Sequence, residues 1–538
     1  MSNATESCES NESLFLRANE IMNDSVAKAG DLLMEKPEIS EIILKQVLKC
    51  DPEHLSALQL LGLCKHRMGQ NAEAIEIIQA ALDIDPDNAD NWNNLGLSYG
   101  ALGNQKKAIE CIQKAISLKP QQFLFKNNIA LQYRSLGDYE NAIKYIREAI
   151  NTEEQPQLWL NLGGMYGEMK NLDEAEICFN NALKINPEYA AAHVDLAFVN
   201  HLNGKWKEGF RSYEWRFYYY PQMKFYHNAY DMNKFWDGKS DLCGKKVLIY
   251  GEQGLGDIIQ FSRYIPDLKK LGAYVIVHCP VSLDAVIRRI EGVDETTNKD
   301  IVNPNNEKFP DYDYQFAIMS FPYLLNIQKI EGKPYLKPAT YKFKDYIKSE
   351  YPKSFNVGIV WAGSPAHPHD KKRSIPLKFF RSLHDIEGVK LFSLQLESAK
   401  RQYGVTYRNM ESDVAKITDT CVEKFHAESD LVDYNEDCDD MKIIDLTNMI
   451  QSFDDTCTIL AGLDLLICCD TATAHIAGAM GVPVWVAIPY NPDWRWTISG
   501  NSTHWYDSMK IYRQIERDNW QTVFEEIKID LEKIINKK

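Results

Sequence analysis

Apolar positions follow two rhythms along the chain, and each predicts a different kind of structure. From about Ser56 to Pro187, small residues recur at a fixed step. Gly62, Gly96, Ala130, Gly163 and Ala197 lie 34, 34, 33 and 34 residues apart. Ala74, Ala108, Ala142 and Ala175 keep the same step, as do Ala81, Ala115, Ala149 and Ala182. Tyr99, Tyr133 and Tyr166 fill one large position, and Pro86, Pro120 and Pro187 close units. Small residues at fixed points let two antiparallel helices pack closely, and a proline ends the second helix. The pattern predicts four clear helix-pair repeats. A degenerate unit ending at Pro52 precedes them. A modified unit follows, in which Gly204 to Phe210 leads into Tyr213-Glu214-Trp215-Arg216.

From Lys245 the rhythm changes to short β-prone runs alternating with helical stretches. Val247 to Tyr250 read as a strand, followed by Gly251, Gly254 and Gly256, with Asp257 where the next helix should begin. Such a turn lets backbone N–H groups and a helix start face an anion, and it sets a carboxylate at the cleft mouth. A second unit repeats the logic: the strand Leu463 to Ile467, the helix start Asp470-Thr471-Ala472-Thr473-Ala474-His475, and the strand from Gly481 to Val486. Together they predict two nucleotide-binding-type sheets facing each other. Further strands are expected at Tyr274–His278, Tyr314–Met319, Val357–Trp361, Val389–Gln395, Ile443–Leu446 and Val484–Ile488, with a closing amphipathic helix over Trp520–Ile535. Residues 397–440 fit neither rhythm. Their end, Glu423 to Asp440, holds eight acids and one lysine, which suggests a surface insertion.

At 538 residues the chain is long enough for about three domains. A formal charge of −16 argues against bulk nucleic-acid binding, which rests on Lys and Arg neutralising phosphates. No apolar run reaches the roughly 18 residues of a spanning helix, and MSNATESCESNESLF lacks the basic and apolar regions of a signal peptide. The 12 cysteines have no framework spacing, so reduced thiols in a cytoplasmic protein are expected, with the vicinal Cys468 and Cys469 as buried strand residues. Asp-x-Asp triplets occur at 85–87, 311–313 and 437–439. None follows a strand that could hold a nucleotide, so no metal site is predicted. The first glycine turn lacks the Lys-Ser/Thr of a P-loop and the acidic ribose partner of a dinucleotide fold.

Two residues before the small-residue site of successive repeats stand Asn94, Asn128, Asn161 and then Asp195. These positions should line the concave groove. An amide both donates and accepts, so a ladder of them can hold an extended peptide by its backbone. The same ladder can instead stabilise the repeats.

The repeat pattern resembles the tetratricopeptide repeat. Followed by G-E-Q-G-L-G-D, W-A-G-S-P, R-S-I-P-L, D-T-A-T-A-H and P-D-W-R-W, it resembles bacterial tetratricopeptide-repeat glycosyltransferases, whose catalytic half is similar to heptosyltransferases of the two-Rossmann GT-B fold. The plan is shared with protein O-GlcNAc transferases, and flagellin glycosylation is one use of it. The resemblance covers about Ser56 to the C-terminus, apart from the acidic insertion. It implies that Asp257 is the catalytic base, although Asp also favours a helix N-cap at such a place. It implies that Asp470, Thr471, Ala472, Thr473 and His475 wrap the donor diphosphate, with the helix dipole and the hydroxyls assisting. It sets Ser364 and a basic residue of Lys371-Lys372-Arg373 against the phosphates. Arg373 is favoured for its two-pronged fork, and a solvated basic loop is the alternative. Trp494, beyond the last strand, either stacks on base or sugar or packs the hinge. Glu252, Gln253 and Arg263 are read as approaching the acceptor.

The expectation is therefore an α-solenoid followed by an α/β GT-B fold: a disordered stretch 1–20, a solenoid 21–216, a connector 217–243, an acceptor-side Rossmann-like domain 244–345, and a nucleotide-sugar domain 346–538 carrying the insertion 397–440. The expected activity is metal-independent, cofactor-free transfer of a sugar from a nucleotide-sugar to a hydroxyl of a protein docked on the repeats, flagellin-like proteins included. Two rivals stand beside it. One makes the acceptor a lipid-linked or surface glycan, with the repeats serving assembly. The other is a repeat scaffold with a degenerate transferase half.

Overall fold

A computed structural model of the chain describes residues 11–221, 223, 231–298, 310–364, 367, 370–396, 405–406, 419–421, 423–424 and 442–537. The chain divides into two compact units, residues 1–192 and 193–538.

The first unit is a run of helix pairs: α1 (Asn11–Leu32), α2 (Pro37–Cys50), α3 (Leu55–Arg67), α4 (Asn71–Ile84), α5 (Ala89–Ala101), α6 (Gln105–Leu118), α7 (Phe123–Leu136), α8 (Tyr139–Thr152), α9 (Pro156–Glu168) and α10 (Leu172–Ile185). The recurrent glycines explain the pairing. A Cβ on Gly62 would sit 2.4 Å from Ile78, one on Gly96 2.6 Å from Ile112, and one on Gly163 2.5 Å from Phe179. Beside each glycine the space is filled by a large side chain of the partner helix, so a Cβ there would collide with it. Asn88, Asn104 and Asp138 cap α5, α6 and α8 through side-chain oxygens. Helix α1 begins at Asn11, so the second half of the stretch 1–20 is helical; residues 1–10 lie outside the described residues.

The solenoid ends earlier than the repeat pattern suggested. The second unit begins at His193, inside α11 (Ala190–Leu202), and takes in α12 (Trp206–Tyr213) and α13 (Arg216–Tyr219). The reason is burial. Val194, Ala197, Trp206, Phe210 and Tyr213 share one hydrophobic core with Phe261, Trp494 and Trp505. Trp206 meets Trp505 edge-on at 5.8 Å, and Phe210 meets Phe261 at 6.2 Å. The modified sixth repeat has become part of the α/β unit. So has the end of the stretch 217–243: Trp236 is buried, its backbone N–H donates to the Gln315 carbonyl at 3.1 Å, and Phe235 bridges Gln315 in parallel.

Two largely parallel sheets follow. The first contains β1 (Lys246–Tyr250), β2 (Tyr274–His278), β3 (Glu295–Thr297) and β4 (Tyr314–Ala317), in the order β3-β2-β1-β4 with every pair parallel. Helices α14 (Leu255–Phe261), α15 (Ile265–Lys270), α16 (Val281–Ile287) and α17 (Phe321–Leu324) connect or follow its strands, and α18 (Lys342–Glu350) leads to the second sheet. That sheet contains β5 (Phe355–Val360), β6 (Val389–Ser393), β8 (Asp419–Cys421), β10 (Lys442–Asp445), β11 (Leu465–Cys468), β12 (Val484–Ile488) and β13 (Met509–Arg513). Its order is β13-β12-β11-β5-β6-β10-β8, and only the edge strand β8 runs antiparallel. Helices α19 (Asp370–Arg373), α20 (Arg381–His384), α21 (Phe453–Leu460), α22 (Ala472–Met480) and α23 (Gln521–Ile535) accompany it. All residues of β5, β11 and β12 are buried, as parallel strands covered on both faces should be. Cys468 and Cys469 are fully buried free thiols at the end of β11. The insertion 397–440 contributes β7 (Val405–Thr406), β8 and β9 (Glu423–Lys424). The rest of it, with the triplet 437–439, lies outside the described residues.

Candidate functional site

Open α/β sheets hold ligands where neighbouring strands continue in opposite directions. In the second sheet that point lies between β5 and β11, because β6 and β10 extend one way and β12 and β13 the other. Trp361 to Ser364 follow β5, and Cys469 to Thr471 follow β11. Arg373 ties the two loops together. It donates to the Asp470 carbonyl at 3.0 Å and to Asp370 Oδ1 at 3.2 Å. Its guanidinium lies so close over Gly363 that a Cβ there would sit 2.2 Å away. Of the three basic residues in this stretch, Arg373 is the one drawn into the crevice; Lys371 and Lys372 are exposed. Ser364 is exposed at its mouth.

Thr471 stands at the N-cap of α22 with extended backbone, φ −144°, and its side chain makes no cap bond. The residue is only 9% exposed, and its hydroxyl has no hydrogen-bond partner among the described residues. A buried hydroxyl left without a partner costs about 1–3 kcal/mol. Here it sits at a helix start, where backbone N–H groups leave about half a positive charge. Ala472 and Thr473 are half-buried beside it. Asp470 accepts from Trp496 Nε1 at 2.8 Å. Burial first, then the charge of Asp493, pushes its carboxyl up to about 6, against the opposing effects of the Trp496 bond, Arg373 and Arg495.

His475 lies one turn into α22 and is buried. Its Nδ1 shares a hydrogen bond with the Tyr506 hydroxyl at 3.0 Å, and its ring stacks on Trp496 at 5.5 Å. Gly256 packs against it; a Cβ at 256 would be 2.8 Å from His475 Cδ2. Burial, followed by the charges of Arg495, Arg263 and Arg373, holds the imidazole neutral well below its ordinary range. One of the two nitrogens expected to serve a ligand is therefore engaged by the protein.

The corresponding point of the first sheet, between β1 and β4, is filled by the chain itself. Arg216 and Glu252 are both buried. Arg216 donates to Glu252 Oε2 at 2.9 Å, to Glu252 Oε1 at 2.7 Å and to Ser320 Oγ at 2.8 Å. It also pairs with Glu214 at 2.6 Å, and Met319 N–H donates to Glu252 at 3.1 Å. Glu252 thus holds the glycine loop rather than approaching an acceptor. Gln253 is exposed, in left-handed backbone at φ 58°, with its amide bonded to the Tyr213 hydroxyl at 2.8 Å. Asp257 accepts from Gly254 N–H at 2.8 Å, so its carboxylate caps its own short helix and takes up the Gly254 N–H. The other oxygen of Asp257 is paired with Arg495. Burial raises the Asp257 carboxyl, and Arg495 acts against that rise.

Two expected site residues belong to the core. Arg263 is buried with its guanidinium about 5 Å from the rings of Tyr335, Trp505 and Tyr506, at 5.0, 5.3 and 4.9 Å, and it donates to the Glu331 carbonyl at 2.7 Å. That aromatic cage turns it away from any acceptor. Trp494 is buried against His201 at 4.4 Å, Tyr213 at 6.2 Å and Trp505 at 6.1 Å, so it packs the interior rather than stacking on a ligand. Its neighbour Arg495 is the residue that the sequence did not single out. Arg495 donates to Gln260 Oε1 and to Asp493 Oδ1, both at 2.7 Å, besides pairing with Asp257. Charge in the P-D-W-R-W motif was its only signal.

In the first unit, the amide ladder bonds to itself. Asn128 Nδ2 donates to Asn93 Oδ1 at 2.9 Å, and Asn161 Nδ2 to Asn127 Oδ1 at 2.7 Å. Asn93 and Asn127 each lean on the next residue, Asn94 and Asn128, at 3.4 Å. Asn94, Asn128 and Asn161 remain half-buried, so part of each amide still reaches the surface. Among the described residues, no cluster of three His, Cys, Asp or Glu side chains could hold a metal ion, and no helix is long and apolar enough to cross a membrane.

Tetratricopeptide-repeat family models match residues 51–121, 125–156 and 156–189. Among solved structures, the chain is similar to a thermophilic tetratricopeptide-repeat protein of Thermus thermophilus, with 20% identity, 33% of this chain and 98% of that one covered, and a TM-score of 0.31. It is also similar to MamA, with 20% identity, 32% and 98% covered, and a TM-score of 0.28. Among curated proteins, it is 24% identical over 360 residues to Protein FlbA of Caulobacter vibrioides, covering 62% of this chain and 53% of that protein. The chain thus spans about half the length of the curated relative it matches. The N-terminal part of the chain carries tetratricopeptide repeats.

Proposed function

We propose that the chain is a metal-independent glycosyltransferase of GT-B type, moving a sugar from a nucleotide-sugar to a hydroxyl of a protein acceptor recognised by the repeats, flagellin-like proteins among the candidates. The observation that carries this reading is the unpartnered Thr471 hydroxyl at the start of α22, with Arg373 fixed beside it at the switch point of a parallel sheet. Helix dipole, free hydroxyl and guanidinium together suit a diphosphate leaving group, whose charge grows as the glycosidic bond breaks. Asp257, across the α14–α22 contact, is the base of this scheme. The resemblance of the sequence motifs to tetratricopeptide-repeat glycosyltransferases points the same way.

A thermal-shift series with UDP-, GDP-, ADP- and CMP-linked sugars tests the reading and identifies the nucleotide. Binding to the folded chain alone raises Tm by mass action. One class of nucleotide-sugar should raise it in the presence of EDTA, and Thr471→Val should abolish the rise. No rise with any of them would overturn the proposal.

The self-bonded amide ladder favours a second reading, in which the repeats serve assembly and the acceptor is a glycan or lipid-linked sugar. Hydrolysis and transfer measured side by side on protein and glycan acceptors separate the two.

A further inference from the structure

Arg495 sits among carboxylates at the junction of the two sheets. Its three nitrogens are divided among Gln260, Asp493 and Asp257. The first and last of these belong to α14 and the middle one to the loop after β12. The next residue, Trp496, bonds Asp470, which precedes Thr471. The five charged groups Asp257, Asp470, Asp493, Arg373 and Arg495 therefore surround one helix start. They comprise three carboxylates and two guanidiniums. A diphosphate seated on Thr471 adds about two further negative charges, and like charges a few ångströms apart repel. Such an anion calls for a second guanidinium besides Arg373, which Asp370 and the Asp470 backbone hold beside Thr471. Arg495 is that second cation, and its carboxylate partners reach solvent: the Asp257 and Asp493 side chains are 15% and 36% exposed against 9% for Arg495.

Asp257 also has a difficulty that Arg495 resolves. One of its oxygens accepts from Gly254 N–H and the other is held by Arg495. Burial raises this carboxyl, but with both oxygens engaged neither is open to an incoming hydroxyl, and both partners act against the rise.

We propose that Arg495 exchanges a carboxylate for a phosphate: an anionic diphosphate seated at Thr471 takes the guanidinium from Asp257, and Asp257 is thereby freed to accept the proton of the acceptor hydroxyl. The second half rests on the transferase reading above; the first half does not. Arg495 is a positioning residue for Asp257 and a binding residue for the anion. Donor occupancy thus uncovers the base, so an oxygen of Asp257 opens to the acceptor proton only when a sugar is in place.

The test is calorimetry on the full chain with inorganic pyrophosphate as the probe. Asp257→Asn removes the competing charge, and pyrophosphate should bind about tenfold tighter than to the wild type. Arg495→Gln should weaken it about tenfold, and Asp257→Asn in that background should gain nothing. The exchange is overturned if Asp257→Asn binds no tighter than the wild type, or if its gain persists without Arg495. Should Arg495→Gln fail to fold, the absence of a gain in Asp257→Asn still overturns the exchange, since that substitution keeps size and an acceptor for Gly254. Nucleotide-sugar hydrolysis by the wild type is measured alongside. Hydrolysis without the pyrophosphate gain removes the exchange alone, and the gain without nucleotide-sugar binding removes the transferase reading alone.

Discussion

Asn161 Nδ2 donates to Asn127 Oδ1 at 2.7 Å, one repeat back along the chain. Asn128 makes the equivalent bond to Asn93. The groove amides are thus both a surface and a seam between repeats. Replacing Asn94, Asn128 and Asn161 together by Ala should cost roughly 0.5–1.5 kcal/mol for each lost inter-repeat bond, read as a lower urea midpoint for the chain. If the repeats also hold an extended protein acceptor, KM for that acceptor rises while hydrolysis of the nucleotide-sugar by water is unchanged. A fall in midpoint with KM unmoved assigns the amides to the seam alone.

Thr471→Val is a cleaner probe of the donor site than any change at His475. The hydroxyl makes no bond within the protein, and valine has nearly the same shape, so Tm should hold or rise slightly. Donor affinity should fall by about 1.5–3 kcal/mol, the worth of a hydrogen bond to a charged group. His475→Ala, by contrast, removes a buried ring bonded to Tyr506 and stacked on Trp496, and should lower Tm as well as affinity. A Thr471→Val chain that binds the donor as before would remove the hydroxyl from the site.

Arg216 is the plug of the first sheet. Arg216→Met leaves Glu252 buried without its cation and should destabilise the chain by about 3–5 kcal/mol, measured by chemical denaturation. Lysine should recover only part of this, because the two oxygens of Glu252 are engaged by separate nitrogens of one planar fork, one of which also serves Ser320. Full stability of the methionine variant would mean that the network contributes nothing net.

The raised carboxyl of Asp470 gives a pH signature with a definite sign. Its value of about 6 in the folded chain exceeds its ordinary 3.8, so between these values the folded state binds the proton and the unfolded state does not. Stability contributed by this group therefore falls as pH rises from about 4 to 6. Above that window the ionised carboxylate also repels a diphosphate, and donor affinity should drop by roughly tenfold from pH 5 to pH 7, an effect of about 1.4 kcal/mol. Asp470→Asn should flatten both profiles. Burial pushes the His475 imidazole well below its ordinary range, so it adds no inflection at the usual histidine pH. A profile that keeps its inflection in the Asn variant would assign it elsewhere.

What could be read from the sequence was local. The repeats were legible because each position demands a small residue at a constant step, and the closest helix contacts fall on those glycines. The place of Asp470 and Thr471 at a helix start was legible because a strand, a polar helix start and a second strand follow one another without interruption, whereas Arg373 was chosen from the family resemblance. Long-range pairings left no pattern. Arg216 meets Glu252 36 residues on, and Arg495 meets Asp257 across 238. Tyr213-Glu214-Trp215-Arg216 therefore read as the end of a repeat, when it is the plug of a sheet. Arg263 read as a surface cation beside a cleft, because the tyrosines and the tryptophan that cage it lie far along the chain. Charge near a glycine loop suggests chemistry, and only the fold reveals whether the charge is already matched.

Asp257 is where the local and long-range readings meet, and Asp257→Asn separates them. Asparagine keeps the size and one oxygen to accept from Gly254, so the helix start and Tm should change little. It cannot take a proton at neutral pH. If Asp257 is the base, kcat for transfer falls by about 10²–10⁴-fold. Losing its charge also releases Arg495, so KM for the nucleotide-sugar falls in the same variant. A cap that only holds a helix would leave kcat intact. A residue that only binds the donor would raise KM. A lower kcat together with a lower KM is the combination that neither of those roles produces, and steady-state kinetics at fixed pH reads it directly.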